Sequence, residues 1–359
     1  MSATKAMKAT NAMNAKNAPT SSPVLAIPLA LVLALPVSVF LPNVARAQEL
    51  PTGAEGTTPA PDAPSDSEPG AAADAARDDM RFVLAGGYAH FFQTDFDSGG
   101  GSFAVDRGFG SITMAGAPRE DYGWSLGVSW EGSWYSFDGA SALSAAAGGE
   151  PWSAVQSIAF APGASFRLAE RWDLRLTALI QFAGENDADL GDSATYGGIA
   201  ALAYSFSKDL TLGAGVLATS RLEDDALVVP QLIVDWRPGK EFRISNFAGP
   251  EAFPGGAGLE AIWMPAERFE LALGGRYTYR RFRLDDSNPG PGAGGVGTDE
   301  GLPIWLRATL RSDWGGRLDF VGGVQFAGEV RLDDSAGDEL AATDVEPAPF
   351  LGVFFSWRF

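Results

Sequence analysis

Apolar and polar residues alternate with a period of two along most of the chain after residue 80. In residues 318–332 every even position is apolar or glycine, whereas the odd positions include Asp319, Gln325 and Glu329. The same alternation recurs in successive segments of about 9–15 residues, which is the pattern of β-strands with two different faces. We therefore predict an all-β fold for residues 80–359.

Two features of these segments favour a membrane barrel over a soluble β-sandwich. The apolar faces end in aromatic residues, as in residues 122–134, where Tyr122, Trp124, Trp130 and Trp134 share one face. The opposite faces carry Arg, Glu and Asp in mid-strand, and these charges need water or each other. An outward apolar band around a polar interior meets both conditions, so we predict a transmembrane antiparallel up-and-down β-barrel.

The connections between the predicted strands alternate between short and long, as periplasmic turns and external loops do in such barrels. Counting back from the last residue gives about 14 strands, with both ends of the barrel in the periplasm. The weakest patterns cover residues 81–115 and 241–264, and loss of either hairpin would leave about 12 strands. The long, acidic and glycine-rich connections are expected near residues 93–101, 138–151, 184–194, 221–226, 248–256, 284–301 and 333–347.

The amino-terminal segment has the features of a secretory signal peptide. Three lysines precede an apolar stretch at residues 24–40, and residues 45–47 (Ala-Arg-Ala) fit a small-x-small cleavage site. We predict a signal peptide over residues 1–47 and export to the bacterial outer membrane; the alternative is an uncleaved inner-membrane anchor. Residues 48–79 are acidic and rich in Ala and Pro, with almost no large apolar residue, so we predict a disordered periplasmic segment.

Composition narrows the possible chemistry. The chain has no cysteine, which excludes disulfides and thiolate sites. Its net charge of −19, from 45 acidic and 26 basic residues, opposes non-specific binding of nucleic acid. Acidic residues in the long connections would favour cations at the outer mouth of the barrel. We expect no nucleic-acid partner and no cofactor.

The last strand keeps its alternation to the end and stops on an aromatic residue. Its apolar positions are Leu351, Val353, Phe355, Trp357 and Phe359. This ending resembles the β-signal that the outer-membrane assembly machinery reads at the carboxy terminus of its substrates. The resemblance implies that the assembly machinery and periplasmic chaperones are partners, and the barrel would contact outer-membrane lipids and lipopolysaccharide.

Residues 80–359 as a whole resemble an uncharacterised family of bacterial outer-membrane β-barrels of unknown function. The resemblance rests on Gly322-Gly323 followed by Arg331-Leu332-Asp333-Asp334-Ser335, and on Pro347-Ala348-Pro349-Phe350 before the end. It implies an outer-membrane barrel and brings no catalytic residues.

Charged side chains of both signs are predicted to face the lumen. They either line a water-filled constriction that sets up a transverse field for polar solutes, or pair across the lumen and fill a narrow barrel. Small residues at lumen positions, such as Ala201 and Ala203, leave room and favour the pore. The lumen-lining candidates are Arg175, Arg276, Arg280, Arg307, Arg311, Glu131, Asp235, Glu260, Glu270, Asp319 and Glu329.

A short repeat begins at Arg221, Arg283 and Arg331, each followed by Leu and then by acidic residues. Either the repeat is a duplicated hairpin end without chemistry, or its arginines hold lipopolysaccharide and its paired acids share a divalent cation. We expect no metal site. The weak metal-binding candidates are Asp285, Asp286, Asp333 and Asp334.

The single histidine, His90, shares parity with Phe82, Leu84 and Tyr88 and is expected to face lipid near the outer rim. The sequence places no serine beside it and contains no hydrolase, P-loop or zinc motif, so we expect no enzyme. The sequence thus favours a porin-like passive diffusion channel for small polar solutes. The alternative is a non-conducting structural or adhesion barrel that presents acidic surface loops.

Overall fold

The structure is a computed structural model, and it describes residues 80–246, 258–287 and 290–359. The predicted signal peptide and acidic segment lie outside the described residues, as does the long connection expected near residues 248–256. No helix within the described ranges is long and apolar enough to cross a membrane.

The described chain is almost entirely strand, with one short helix. In chain order the elements are β1 (Arg81–Asp95), β2 (Ser102–Arg119), β3 (Tyr122–Asp138), α1 (Ala142–Ala147), β4 (Ala154–Ala169), β5 (Trp172–Glu185), β6 (Ala194–Ser207), β7 (Leu210–Arg221), β8 (Asp224–Trp236), β9 (Phe242–Ser245), β10 (Gly258–Ala266), β11 (Phe269–Arg276), β12 (Thr278–Arg283), β13 (Val296–Arg311), β14 (Gly316–Asp333), β15 (Glu339–Val345) and β16 (Ala348–Arg358).

These segments form a closed antiparallel barrel of 14 strands, which confirms the predicted fold class and strand number. The barrel has 14 strands because β12 continues β11 beyond Tyr277, and β15 leads directly into β16. The first and last strands close the wall: β1 pairs with both β2 and β16, and the Phe82 N–H donates to the Phe359 carbonyl oxygen at 2.9 Å. We call the end that holds Met80 and Phe359 the inner end and the opposite end the outer end.

Both hairpins with weak sequence patterns are present. β1 and β2 pair from Arg81 to Asp95, with a register shift between Phe91 and Thr94. β9 has only four residues, and within the described residues it pairs with β8 at two positions, against four with β10. The wall is therefore continuous but has a short ladder between β8 and β9.

Large apolar side chains point outward and are exposed, as an apolar band facing lipid requires. The predicted assembly-signal residues Leu351, Val353, Phe355, Trp357 and Phe359 all lie on this exposed face. Aromatic rings are grouped at the inner rim, where Trp172 and Tyr204 lie 4.8 Å apart. Trp357 lies 5.3 Å from Phe359 and 5.7 Å from Trp314 in the same region. The outward face therefore has the aromatic boundary that the sequence predicted.

A helix within the long connection after β3 was not predicted. The Ser141 side chain accepts a hydrogen bond from the Ser144 N–H, the Ser144 side chain bonds back to the Ser141 N–H, and Gly148 ends α1 in the left-handed region. This capping and four alanines let six residues form a short helix once Leu143 is buried. The helix folds this connection against β14 and β15.

A β-bulge in β14 overturns one of the predicted lumen residues. Ala327 has a positive φ of 47°, and the ladder to β13 shifts by one residue there. A one-residue shift moves every later side chain to the opposite face. Glu329 therefore lies on the face opposite to Asp319, and its assignment to the lumen was wrong; Val330 and Leu332 are buried inside instead.

The outer ends of four strands lean across the lumen. We call them the outer flap: residues 278–283, 296–300, 328–333 and 339–345. At its far edge Arg283 forms a parallel bridge to Gly184 of β5, a strand on the opposite side of the barrel. On the near side, Val345 bridges to Phe96 in the connection between β1 and β2. The outer flap therefore covers the outer end of the barrel.

An aromatic core packs beneath the outer flap. Trp152 lies 5.4 Å from Phe282 and 5.3 Å from Phe137, both edge to face. Phe91 stacks on Phe350 at 4.9 Å. These rings belong to one buried cluster that includes residues of the flap, of α1 and of the surrounding wall. Packing of this kind holds the flap in place by burial of apolar surface.

Candidate functional site

The best-defined polar feature of the lumen is an inner charge cluster centred on Arg307. Its terminal nitrogens contact Glu260 at 2.6 Å and Glu270 and Asp319 at 3.3 Å each. The Trp305 indole N–H also donates to Glu260, at 2.8 Å. These side chains come from β10, β11, β13 and β14, which are neighbours in the wall, so strand alternation alone brings them to one face.

The inner charge cluster is balanced. Arg311 pairs with Glu270, and the Arg317 Nε lies 2.9 Å from Asp319, so three arginines meet three carboxylates. Arg307 is 1% exposed and Glu260 2%. Buried charges are tolerated when each is paired and hydrogen-bonded, as they are here. Arg311 lies at the inner rim and is the exposed member of the cluster.

A second group, the cross-lumen cluster, joins opposite walls. Arg107 on β2 donates to Asp299 on β13 at 2.5 Å, and the Tyr135 hydroxyl donates to the same carboxylate at 2.7 Å. Arg280 on β12 donates through Nε to Glu131 on β3 at 2.5 Å. None of these strand pairs is adjacent in the wall, so the contacts span the lumen.

The three repeat segments converge on the outer flap. Leu222, Leu284 and Leu332, the leucines of the repeat, are all buried. Arg283 contacts Glu223 at 2.6 Å, and Arg281 donates through Nε to the Leu222 carbonyl oxygen at 2.8 Å. The repeat thus joins the flap to the turn between β7 and β8. This role was not among the two interpretations drawn from the sequence.

The acidic members of the repeat are engaged in local contacts. Asp333 pairs with Arg281 at 2.8 Å, and Asp334 accepts from the backbone of its own turn. The Ser287 hydroxyl donates a hydrogen bond to Asp285, which is the larger cause of a lowered pKa of that carboxyl, and the Ser287 N–H donates a second. Asp286, the next residue, is exposed. Within the described ranges no group of three or more potential ligands could hold a metal ion.

Two polar cavities lie along the same side of the lumen. The outer cavity, about 80 Å³, lies between β12 and the walls of β3 to β8, and its lining includes Glu131, Ser157, Gln181 and Arg280. The inner cavity, about 140 Å³, is lined by residues of β3, β4 and β5, among them Arg175, and by the turn before β3.

Apolar side chains separate the two cavities. Ala159, Ala161 and Leu179 form one buried group on β4 and β5, and similar groups continue across β6, β7 and β8. Leu179 is 2% exposed and Leu217 is 1% exposed. Side chains facing a water-filled pore would be accessible to water, so the lumen is packed at this level. The small residues Ala201 and Ala203 are buried as well and do not leave an open passage.

The other predicted lumen residues are also partnered. Asp235 forms a two-point pair with Arg243, at 2.8 and 3.0 Å. Arg276 is buried, and its guanidinium carbon lies 5.1 Å from the centre of the Trp305 ring. Apart from Glu329, the predicted residues face the interior or its rim. Of the two interpretations of these charges, the described conformation corresponds to pairing within and across the lumen.

Sequence reasoning missed Arg107, Tyr135, Asp299, Arg281 and Arg283. Arg107 and Tyr135 lie on strands whose inward positions mix aromatic and charged residues, so the alternation there is poor. Asp299 has the same parity as Arg307 on β13, but it lies within the long connection predicted near residues 284–301, outside the predicted strand.

A polar group also lies on the outward face near the outer rim. The His90 Nδ1 lies 2.7 Å from Asp106 Oδ1, and the Tyr88 hydroxyl donates to the same oxygen. Phe92 packs edge to face against His90 at 4.7 Å. The outward direction predicted for His90 is confirmed, but its partner Asp106 was not foreseen.

Comparisons with known proteins find structural similarity at low sequence identity. No protein-family model and no curated protein matches the chain. The barrel is similar to an outer-membrane channel from Pseudomonas putida F1, at 10% identity and a TM-score of 0.43, over 82% of this chain and 100% of that chain. It is similar to the P. putida toluene transporter TodX, at 10% identity and a TM-score of 0.40, over 78% and 90% of the two chains.

The KdgM porin is a further neighbour, at 7% identity and a TM-score of 0.29, over 77% of this chain and 99% of that chain. These neighbours are bacterial outer-membrane barrel proteins. The closed wall and the outward apolar face of this chain are by themselves those of a transmembrane β-barrel.

Proposed function

We propose that this chain is an outer-membrane channel for passive diffusion of small polar solutes, closed in the described conformation by the outer flap. The observation that carries the proposal is the placement of the two polar cavities. Both use β3, β4 and β5, one towards each end of the lumen, and Leu179 and two alanines separate them. A short apolar constriction between polar chambers can close a channel by excluding water.

Opening would require movement of the outer flap and separation of the side chains that pack at the Leu179 constriction, while the strand ladders of the wall stay intact. The far edge of the flap is held by Arg283, which bonds to the Asp192 carbonyl oxygen at 3.1 Å and to Glu223 at 2.6 Å. These contacts involve residues at the outer end, where a part-exposed ion pair contributes modestly to stability. The wall below is held by the strand ladders, of which the described ladder between β8 and β9 is short.

The test is conductance of the purified barrel in a planar bilayer. Arg283→Ala removes the side-chain contacts of Arg283 to Asp192 and Glu223 on the opposite side, so we expect more frequent or longer discrete openings than in the unaltered protein. Arg331→Ala is the matched control because Arg331 has the same place in the repeat but, within the described residues, forms its ion pair inside the flap, with Asp333 at 3.4 Å. It should leave the openings unchanged.

The alternative function is a non-conducting structural or adhesion barrel. The near-complete burial of Leu179 and Leu217 favours it, because a permanently packed lumen needs no gate. A folded barrel that stays silent in both variants and in Leu179→Gly would reject the channel. Contacts with lipopolysaccharide, assembly factors and periplasmic chaperones remain part of this proposal, as does the absence of an enzymatic role.

A further inference from the structure

We propose that the outer cavity is a binding site for a small oxyanion, meaning a carboxylate or inorganic phosphate. The inference rests on the proposed function and deepens it by naming the class of solute. The cavity is lined by three arginines, Arg221, Arg280 and Arg281, against a single carboxylate, Glu131. This local excess of donors contrasts with the acidic chain as a whole, whose net charge is −19.

Arg280 offers hydrogen-bond donors that the protein does not use. Its Nε donates to Glu131 at 2.5 Å, its charge also interacts with that of Asp299, and its two terminal nitrogens have no hydrogen-bond partner within the described residues. The Glu131 oxygen that accepts this bond also accepts from Ser133, at 3.3 Å. The forked terminal nitrogens of an arginine match the two oxygens of a carboxylate or phosphate.

Tyr279, the neighbouring residue, supplies a second unused donor. Its hydroxyl is buried and has no hydrogen-bond partner within the part of the chain that the structure describes. A buried hydroxyl without a partner is unfavourable, and such groups are uncommon in folded proteins. Tyr279 lies beside Glu300, on the face of β12 opposite to Arg280, so a ligand oxygen would satisfy the hydroxyl where the cavity passes the edge of this strand. Tyr279 and Arg280 both line the cavity, as do the hydroxyl-bearing Ser157 and Thr195.

The size and charge of the cavity limit what it can hold. A volume of about 80 Å³ suits a few heavy atoms and is too small for a sugar ring or a hydrocarbon chain. Arg221 and Arg281 also have protein partners, Asp224 at 2.7 Å and Asp333 at 2.8 Å. The surroundings are therefore close to neutral without a ligand, and binding should be weak, in about the millimolar range, as a site on a diffusion path requires.

The experiment measures the thermal midpoint of the detergent-solubilised barrel in sodium phosphate and sodium acetate, against sodium chloride of equal ionic strength. For the unaltered protein we expect phosphate to raise the midpoint by about 2–4 °C. Glucose, a neutral solute, should have no effect. Binding is measured without conductance, so a silent barrel that binds phosphate rejects the channel and keeps the site.

Tyr277 and Tyr279, which lie two residues apart where β11 continues into β12, provide a matched pair of variants. Tyr279→Phe removes a hydroxyl that has no partner, so the barrel in chloride should be as stable as before or more stable, while at least half of the phosphate shift is lost. Tyr277→Phe removes a hydroxyl that donates to Glu300. It should lower the midpoint in every buffer and keep the phosphate shift.

Arg280→Lys is the third variant, because lysine keeps the charge beside Glu131 but loses the forked donors. We expect a smaller phosphate shift than in the unaltered protein. Equal phosphate shifts in the unaltered protein, Tyr279→Phe and Arg280→Lys would mean that phosphate acts as a general stabilising salt, and would overturn the site. No phosphate shift in the unaltered protein would also overturn it. If the barrel conducts, either of these two results would leave the proposed channel function standing.

Discussion

On β10, β11, β13 and β14 the inward face of the barrel is built from buried ion pairs, whereas at mid-height on β5 to β8, between the two polar cavities, it is built from Leu, Ile, Val and Ala. We call these the charged wall and the apolar wall. Both present exposed leucines to the outside, such as Leu306 and Leu202. The outward-facing residues therefore indicate only that a strand faces lipid, whereas the inward-facing residues determine how each part of the lumen is filled.

The two walls are stabilised in different ways. The charged wall depends on specific partners, since Arg307 serves three carboxylates at once. The apolar wall depends on packing of small side chains, in which Leu217 and Val229 form one local group. Loss of a partner leaves a buried charge, whereas loss of a methyl group leaves a gap. This difference sets the order of the expected effects.

The largest effect should come from Arg307→Met in the charged wall. Removal of the guanidinium leaves Glu260 without its buried partner and weakens the contacts of Glu270 and Asp319. We expect the free energy of unfolding to fall by about 3–5 kcal/mol, measured by denaturant unfolding of the refolded barrel with tryptophan fluorescence.

Arg268→Met is the control for Arg307→Met. Arg268 is also an ion-paired arginine, but it has one partner, Asp313, and both side chains are exposed at the inner turns. It should cost about 0–1 kcal/mol. Similar losses in both variants would mean that water reaches the inner charge cluster and that the charged wall is not packed.

The charged wall was partly predictable from the sequence. Strand alternation placed Glu260, Glu270, Arg307 and Asp319 on the lumen face, and this is correct because their strands keep a regular register to that depth. Parity within a strand cannot tell which strands face each other across a lumen. The contact between Arg107 and Asp299 therefore could not be foreseen.

The outer flap was not predictable, for two physical reasons. The bulge at Ala327 moves the side chains that follow it in β14 to the opposite faces of the strand, and an alternating sequence pattern does not show where a bulge lies. The flap also buries both of its faces, so Phe282 and Arg283, which have opposite parity, are both buried. The repeat at Arg283 and Arg331 indicated that these segments are related, but not that they converge.

A medium effect should come from Leu217→Ala in the apolar wall. The side chain is almost fully buried, so truncation leaves a gap that the rigid strands cannot close. We expect a loss of about 2–3 kcal/mol in the free energy of unfolding. Leu212→Ala lies on the same strand but faces outward, where lipid can fill the space, and should cost about 1 kcal/mol or less. Equal losses would indicate that the apolar wall faces an open lumen.

The smallest effect should come from Arg243→Gln, at the junction where the apolar wall meets the charged wall. Arg243 on β9 holds Asp235 on β8 by two hydrogen bonds, and the described ladder between these strands has two residue pairs. The ion pair is partly exposed, so we expect a loss of about 1 kcal/mol, near the upper end for such pairs because the geometry is two-pronged. Hydrogen exchange should rise in β8 and β9 and stay constant in β13. A loss as large as that of Arg307→Met would show that the junction, and not the charged wall, limits the stability of the barrel.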